Sequence, residues 1–243
     1  MRERFFKLRD KLLNTTPKIC IERAKIVTEA YKKYDAYPNI EKRAMALADV
    51  LRNMTIYIEE EQLLAGNQAS SNRAAPLFPE YAFAYILDEL DDLEKRSSDK
   101  FTITEENKKV LREILPWWEG KTLKDRAIAM QPQEVLDDRV TGVLGWQGNV
   151  STGEGHIVPD YDMVVRLGFA GLRDKIQKHI DELDLSKPQD LEKLTFYRAC
   201  KAIIDGCLDY IKRYCILAEE QAEQCKDCLL YTSPSPRDST SSR

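Results

Sequence analysis

A chain of 243 residues, 43% hydrophobic and 32% charged, has the balance of an ordinary globular protein and enough apolar material for a core. Its 37 basic and 41 acidic residues leave a net charge of -4, which gives no reason to expect nucleic acid or an anionic membrane as partner. No apolar run approaches the roughly 20 residues that span a bilayer. The charged start, Met1 to Asp10, also lacks the apolar stretch and cleavage site of a signal peptide, so the expected location is cytoplasmic.

In chain order, Glu3–Asn14 carries Phe6, Leu8, Leu12 and Leu13 among charges and predicts a short amphipathic helix. Thr15, Thr16 and Pro17 have the form of a helix start, hydroxyl before proline. The helix is expected to run to about Tyr34, with Ile19, Ala24, Ile26, Val27, Ala30 and Tyr31 on its apolar face. Pro38 and Asn39 stop one element and cap the next, Ile40–Met54, where Ala44, Leu47, Ala48 and Leu51 recur at helical spacing. Ile56–Ile58 and Leu63–Gly66 are apolar runs beside turn signals, read as small strands or extended segments. Gln68–Pro79 is polar and proline-bearing and reads as loop, and Glu80–Arg96 as a strong helix that Ser97–Lys100 breaks.

Thr104 can cap a helix to about Trp118, although Asn107 stands where a capping box wants an acid. Gly120 ends that element and Thr122 starts another. Thr141–Pro159, with Gly142, Gly145, Gly148, Gly153 and Gly155 around Trp146 and His156, is the least helical internal stretch. Asp160 starts a long helix with a stripe of Val164, Leu167, Leu172, Ile176, Ile180 and Leu183. Ser186, Lys187 and Pro188 start a final helix or helix pair through Leu191, Phe196, Ala199, Ile203, Leu208, Ile211 and Leu217. The expected class is mainly α with minor strand content and no internal repeat.

The spacing of the six cysteines does not suggest a secreted disulfide framework. Cys200, Cys207 and Cys215 fall in one helical stretch and read as small buried hydrophobes. From Cys228 the composition turns to serine and proline without helical period. Cys228 to Asp238 looks like the translation of a transposon-type sequencing adaptor. Residues 228–243 are therefore read as read-through and set aside, leaving 1–227 as the folded part. Cys225 and Cys228 straddle that junction, and with no second pair or histidine following they predict no zinc site.

One segment stands out for chemistry: Gly148 to Tyr161, with Gly153, Gly155, His156 and Asp160. Glycines let a backbone approach another surface, and histidine can donate and accept hydrogen bonds. Taken alone, the residues favour a loop packed on a neighbouring domain, with His156 bonded to a backbone carbonyl. The Gly-x-Gly makes a poor dinucleotide fingerprint, because the preceding strand and the third glycine are missing. His179, the acidic cluster Asp88, Glu89, Asp91 and Asp92, and the pair Asp137 and Asp138 read as solvated faces. Trp117 and Trp118 read as a packing anchor.

Several segments together resemble the glycyl radical enzymes of the pyruvate formate-lyase-like group. Thr15 to Lys32, containing Glu22-Arg23-Ala24 and Thr28-Glu29, resembles their opening. Arg43-Ala44, Gln62 to Gly66, Phe78-Pro79-Glu80, Leu87 to Leu90, and Trp118 with Gly120-Lys121-Thr122 follow in order. Gly153, Gly155-His156, Asp160-Tyr161 and Val165 to Gly171 complete the set. The resemblance covers nearly all of Arg2–Asp227. It implies the helical N-terminal portion of a ten-stranded α/β-barrel enzyme whose barrel core is largely missing. Such enzymes carry a protein glycyl radical, installed by a separate radical S-adenosylmethionine activating enzyme, and no bound cofactor or metal. A cysteine thiyl then attacks a small-molecule substrate, and the full-length parent is expected as a homodimer.

Neither radical residue is matched. Gly206-Cys207 is followed by Leu208 in a helical stretch, and Arg139-Val140-Thr141-Gly142 comes too early and lacks the tyrosine. No catalytic residue is therefore assigned. In the glycerol dehydratase-like branch the corresponding histidine contacts substrate hydroxyls, so the resemblance implies a substrate-binding role for His156. The expectation is a lyase or dehydratase for glycerol or a related diol. The alternatives are formate C-acetyltransferase activity in the parent, or a helical binding or scaffold module without chemistry.

Overall fold

The computed structural model describes residues 2–143 and 157–224. Among them run nine α-helices and two three-residue strands: α1 (Arg2–Asn14), β1 (Lys18–Cys20), α2 (Glu22–Lys33), α3 (Asn39–Asn53), β2 (Ala74–Pro76), α4 (Ala84–Glu89), α5 (Glu105–Ile114), α6 (Leu123–Ala129), α7 (Gln133–Val140), α8 (Tyr161–Asp181) and α9 (Pro188–Gln224). A 3-10 turn, Leu115–Trp118, extends α5. The mainly α class is as the composition and periodicity predict.

Where helix starts are local chemistry, they fall as read. The Thr104 hydroxyl accepts the Asn107 amide. Thr122 and Asp125 form a capping box. The Asp160 carboxylate accepts the Met163 amide at 2.9 Å. The last element is one continuous helix, α9, rather than a pair.

Two expected helices differ. Thr15 does not start α2: its hydroxyl donates back to the Lys11 carbonyl at 2.7 Å, closing α1. Lys18–Cys20 is a strand, parallel to Ala74–Pro76 with Ile19 opposite Ala75, and it also bridges Thr102. The Ile19 amide donates to the Thr102 carbonyl and the Thr102 amide to the Pro17 carbonyl, both at 2.9 Å. Helix α2 begins only at Glu22. The expected loop Gln68–Pro79 thus holds β2, while Ile56–Ile58 and Leu63–Gly66 are not strands. Glu80–Arg96 is not one helix either; it is α4 flanked by turns. The Glu80 and Tyr81 carbonyls accept the Leu123 and Lys124 amides at 3.0 and 2.9 Å, anchoring the start of α6. The Leu93 carbonyl accepts the Phe101 amide at 3.3 Å.

The core gathers on α2, α3, α4 and α5: Ala24, Val27, Val50, Ile86, Leu90, Leu111 and Trp118 are buried together with Ile19 of β1. Trp118 is fully enclosed, its indole N–H donating to the Thr28 hydroxyl at 2.9 Å. Across the other side of α3, α9 packs through small residues. A Cβ added to Gly206 would lie 2.8 Å from the Ala48 Cα, so the two backbones touch only because no side chain intervenes. Arg213 of α9 donates to the Leu51 and Met54 carbonyls at 2.8 and 2.6 Å, capping the end of α3. The Tyr210 hydroxyl donates to the Asn67 carbonyl at 2.8 Å and accepts its amide, and the Tyr214 hydroxyl donates to its side-chain oxygen.

Candidate functional site

Of the glycine-rich segment from Thr141 to Pro159, the structure describes the two ends. At one, α7 closes on Gly142, whose φ of 76° is the left-handed position glycine takes after a helix and whose amide donates to the Arg139 carbonyl at 3.0 Å. Residues 144–156, among them Trp146, Gly148, Gly153, Gly155 and His156, lie outside the described residues. At the other end Ile157 and Val158 are exposed, Asp160 caps α8, and Tyr161 is exposed. Helix α8 is not regular: Gly168, at φ 63° and ψ 174°, breaks its path. Val164, Leu172, Ile176 and Ile180 of the expected stripe are half-buried, while Leu167, beside the break, is exposed. No residue of α8 is fully buried.

The cysteines give no reactive centre among the described residues. Cys20 is buried, and its sulfur accepts the Ser70 amide at 3.4 Å. Cys200 and Cys207 are half-buried, and burial pushes both thiols up, away from thiolate. Cys215 is exposed, contrary to the buried reading, because it lies on the side of α9 turned from α3. Cys225 and Cys228 lie outside the described residues. Gly206 and Cys207 sit mid-helix against α3, not in a loop. Val143 follows Gly142 where the resemblance requires tyrosine. Neither pair fits the radical cysteine or the radical glycine, so no chemical step is assigned to them. No group of three or more His, Cys, Asp or Glu side chains among the described residues could hold a metal ion.

The weaker sequence candidates are surface features. His179 is half-buried, stacked on Tyr197 with ring centroids 5.5 Å apart. Asp91 is held by Arg112 at 2.7 Å and Lys108 at 3.2 Å. The hydrogen bond from Arg112, seconded by Lys108, draws its carboxyl below the usual range.

A second feature was missed in the sequence: a cleft of about 460 Å³ between α2, α3, α9 and Phe78–Tyr81. The Arg23 guanidinium meets the Glu80 carboxylate at 3.0 Å, donates to the Leu77 carbonyl at 3.2 Å, and lies 3.9 Å over the Phe78 ring. Arg43 donates to the Tyr81 hydroxyl at 2.5 Å. Arg23 and Glu80 stand 57 positions apart, so spacing cannot pair them. Their segments, Glu22-Arg23-Ala24 and Phe78-Pro79-Glu80, are both among those that carry the family resemblance.

Comparison with known proteins fits this arrangement of helices. A family model described as "Pyruvate formate lyase-like" matches residues 1–229. "Probable dehydratase YbiW" of Escherichia coli (strain K12) is 37% identical over 206 residues, 85% of this chain and 25% of its own. The (2S)-3-sulfopropanediol dehydratase of Klebsiella oxytoca is 32% identical over 223 residues, 90% of this chain and 27% of its own. The glycerol-bound form of the B12-independent glycerol dehydratase from Clostridium butyricum superimposes with a TM-score of 0.87 at 31% identity, covering 93% of this chain and 29% of that one. The helices are thus those of part of a glycyl radical enzyme. The chain belongs to the pyruvate formate lyase-like family. It spans between 25% and 29% of the length of these relatives.

Proposed function

We propose that this chain is the helical N-terminal segment of a glycyl radical lyase or dehydratase, and that the whole protein eliminates water or a similar group from a small hydroxylated metabolite such as glycerol. One observation supports this most: superposition on the glycerol dehydratase over 93% of the chain at 31% identity. The sulfopropanediol dehydratase points to the same substrate class. In this reading residues 1–227 clad a barrel of ten strands supplied by further polypeptide, which also carries the radical cysteine and glycine. Residues 228–243 are adaptor read-through. A radical S-adenosylmethionine activating enzyme is the protein partner, and the whole enzyme is a cytoplasmic homodimer of anaerobic metabolism.

His156 is assigned to the substrate. A neutral imidazole accepts a hydroxyl hydrogen bond through one nitrogen while donating through the other. That would hold a diol in one orientation and place one hydroxyl for departure. As imidazolium it could hand a proton to the leaving oxygen. In the protein encoded by the uninterrupted gene, His156→Ala should lower kcat/KM for diol dehydration by about 10- to 100-fold, the size of a lost hydrogen bond to a reacting group. The chain of 243 residues, given activating enzyme and glycerol under anoxic conditions, should release no aldehyde. Aldehyde from that chain, or an uninterrupted gene without a cysteine loop and radical glycine, would remove the reading.

A further inference from the structure

We propose that the cleft between α2, α3 and α9 binds a small amphipathic monocarboxylate, an acid with an alkyl or aryl tail. Its volume, about 460 Å³, lies within the range of small-ligand pockets, and its wall has their character, mainly apolar with a few convergent polar groups. Val27, Ala44, Ala199 and Ile203 form part of its apolar lining. Ile40, Leu47, Phe78 and Phe196 also line it, and all four count among the exposed large hydrophobics of the chain. Apolar surface gathered around one concavity is a mark of a binding site rather than of scattered surface residues.

The polar end selects the headgroup. Arg23 and Glu80, with side chains 15% and 9% exposed, neutralise each other. Arg43 is different. It donates to the Tyr81 hydroxyl and lies 5.3 Å from that ring, and no carboxylate among the described residues forms an ion pair with it. The cleft therefore presents one uncompensated guanidinium above an apolar floor. A guanidinium fork matches a carboxylate in geometry and charge. A neutral amphiphile would forgo that pair, and a doubly charged headgroup would find no second cation, because Arg23 is already paired. This inference is independent of the proposed enzymatic reaction and of His156.

The test uses the 243-residue chain and a thiol already in place. Cys200 lines the cleft, whereas Cys215 is exposed on the same helix and does not. Labelling by N-ethylmaleimide is followed at each cysteine by peptide mass spectrometry, with phenylbutyrate or its neutral amide present. For a Kd of about 1 mM, phenylbutyrate at roughly ten times that concentration should slow Cys200 labelling about tenfold and leave Cys215 unchanged. The amide should slow it by about twofold at most, and Arg43→Gln should reduce the protection by the acid to that level. Arg43 is exposed, so the variant should melt with the parent chain. Absence of Cys200 protection overturns the proposal, as does equal protection by acid and amide or slowing of Cys215 alongside Cys200. The acid-against-amide comparison stands even if the variant unfolds.

Discussion

Trp118 is fully buried, and the one polar atom of its side chain has one partner, the Thr28 hydroxyl, which in turn donates to the Ala24 carbonyl at 2.6 Å. Thr28→Val keeps the shape and removes the acceptor, leaving a buried indole N–H unsatisfied. The expected loss is about 1–3 kcal/mol of stability, read as a lower urea midpoint, with Thr28→Ser recovering most of it. A variant as stable as the parent would show that the bond contributes nothing net. The packing role of Trp118 is legible in the sequence, because a tryptophan beside an amphipathic helix end usually faces the core. Its partner is not, because Thr28 lies 90 positions away.

Tyr214 carries a pH dependence of the same residue scale. Burial, with the neighbouring Tyr210 hydroxyl, pushes its phenol well above the ordinary tyrosine range. A group whose folded pKa is raised contributes stability that is fully present below the unfolded pKa and lost as pH rises past it. The window therefore opens near pH 10, the ordinary value for tyrosine, and extends upward from there. Tyr214→Phe loses the bond to Asn67 and should be less stable at neutral pH. It cannot ionise, so the gap between parent and variant should shrink above about pH 10. Thermal melts across that range check this; a gap that holds constant refutes it.

At the scale of elements, the contact between α3 and α9 depends on an absent side chain. Gly206→Ala would place a Cβ 2.8 Å from the Ala48 Cα and 2.9 Å from its Cβ. Backbone atoms cannot swing aside as a flexible side chain can, so the helices must separate, at a cost of about 1–3 kcal/mol. Ala48→Gly in the same chain removes only one of the two clashes and should restore part of the loss. A Gly206→Ala protein with an unchanged melting midpoint would mean that α9 does not sit as closely on α3 as described. Elements were legible where their signals are local. Thr104, Thr122 and Asp160 cap helices because each side chain bonds an amide three positions on. The strands were not legible, since Ile19 acquires its partners from Ala75 and Thr102, which sequence alone does not bring near. Glu80–Arg96 misled because its carbonyls at Glu80 and Tyr81 serve α6 rather than a longer helix, and tertiary demand outweighs propensity there.

For the whole molecule, the mainly α class follows from periodicity, and the family from an ordered set of short motifs. The candidate site is half legible: the sequence points to His156, which lies outside the described residues, and it gave no hint of the cleft, whose walls come together only in three dimensions. The core is unevenly placed. Buried residues gather on α2 to α5, whereas α6, α7 and α8 hold none. Met130, Val140 and Val165 are 85%, 89% and 83% exposed. In the proposed reading these side chains and the outer helices face further polypeptide, which would cover apolar surface that a lone chain leaves in water. Exposed helices without buried side chains also open locally at little cost. The chain should therefore self-associate as its concentration rises, and the amides of α8 should exchange faster than those of α2 and α3. Replacing Met130, Val140 and Val165 by glutamate should suppress the association without lowering the unfolding midpoint, because none of the three is part of the core. Sedimentation velocity together with hydrogen exchange decides the matter. A single monomeric boundary at all concentrations, with α8 as protected as α3, would show that these helices are complete by themselves and do not await further polypeptide.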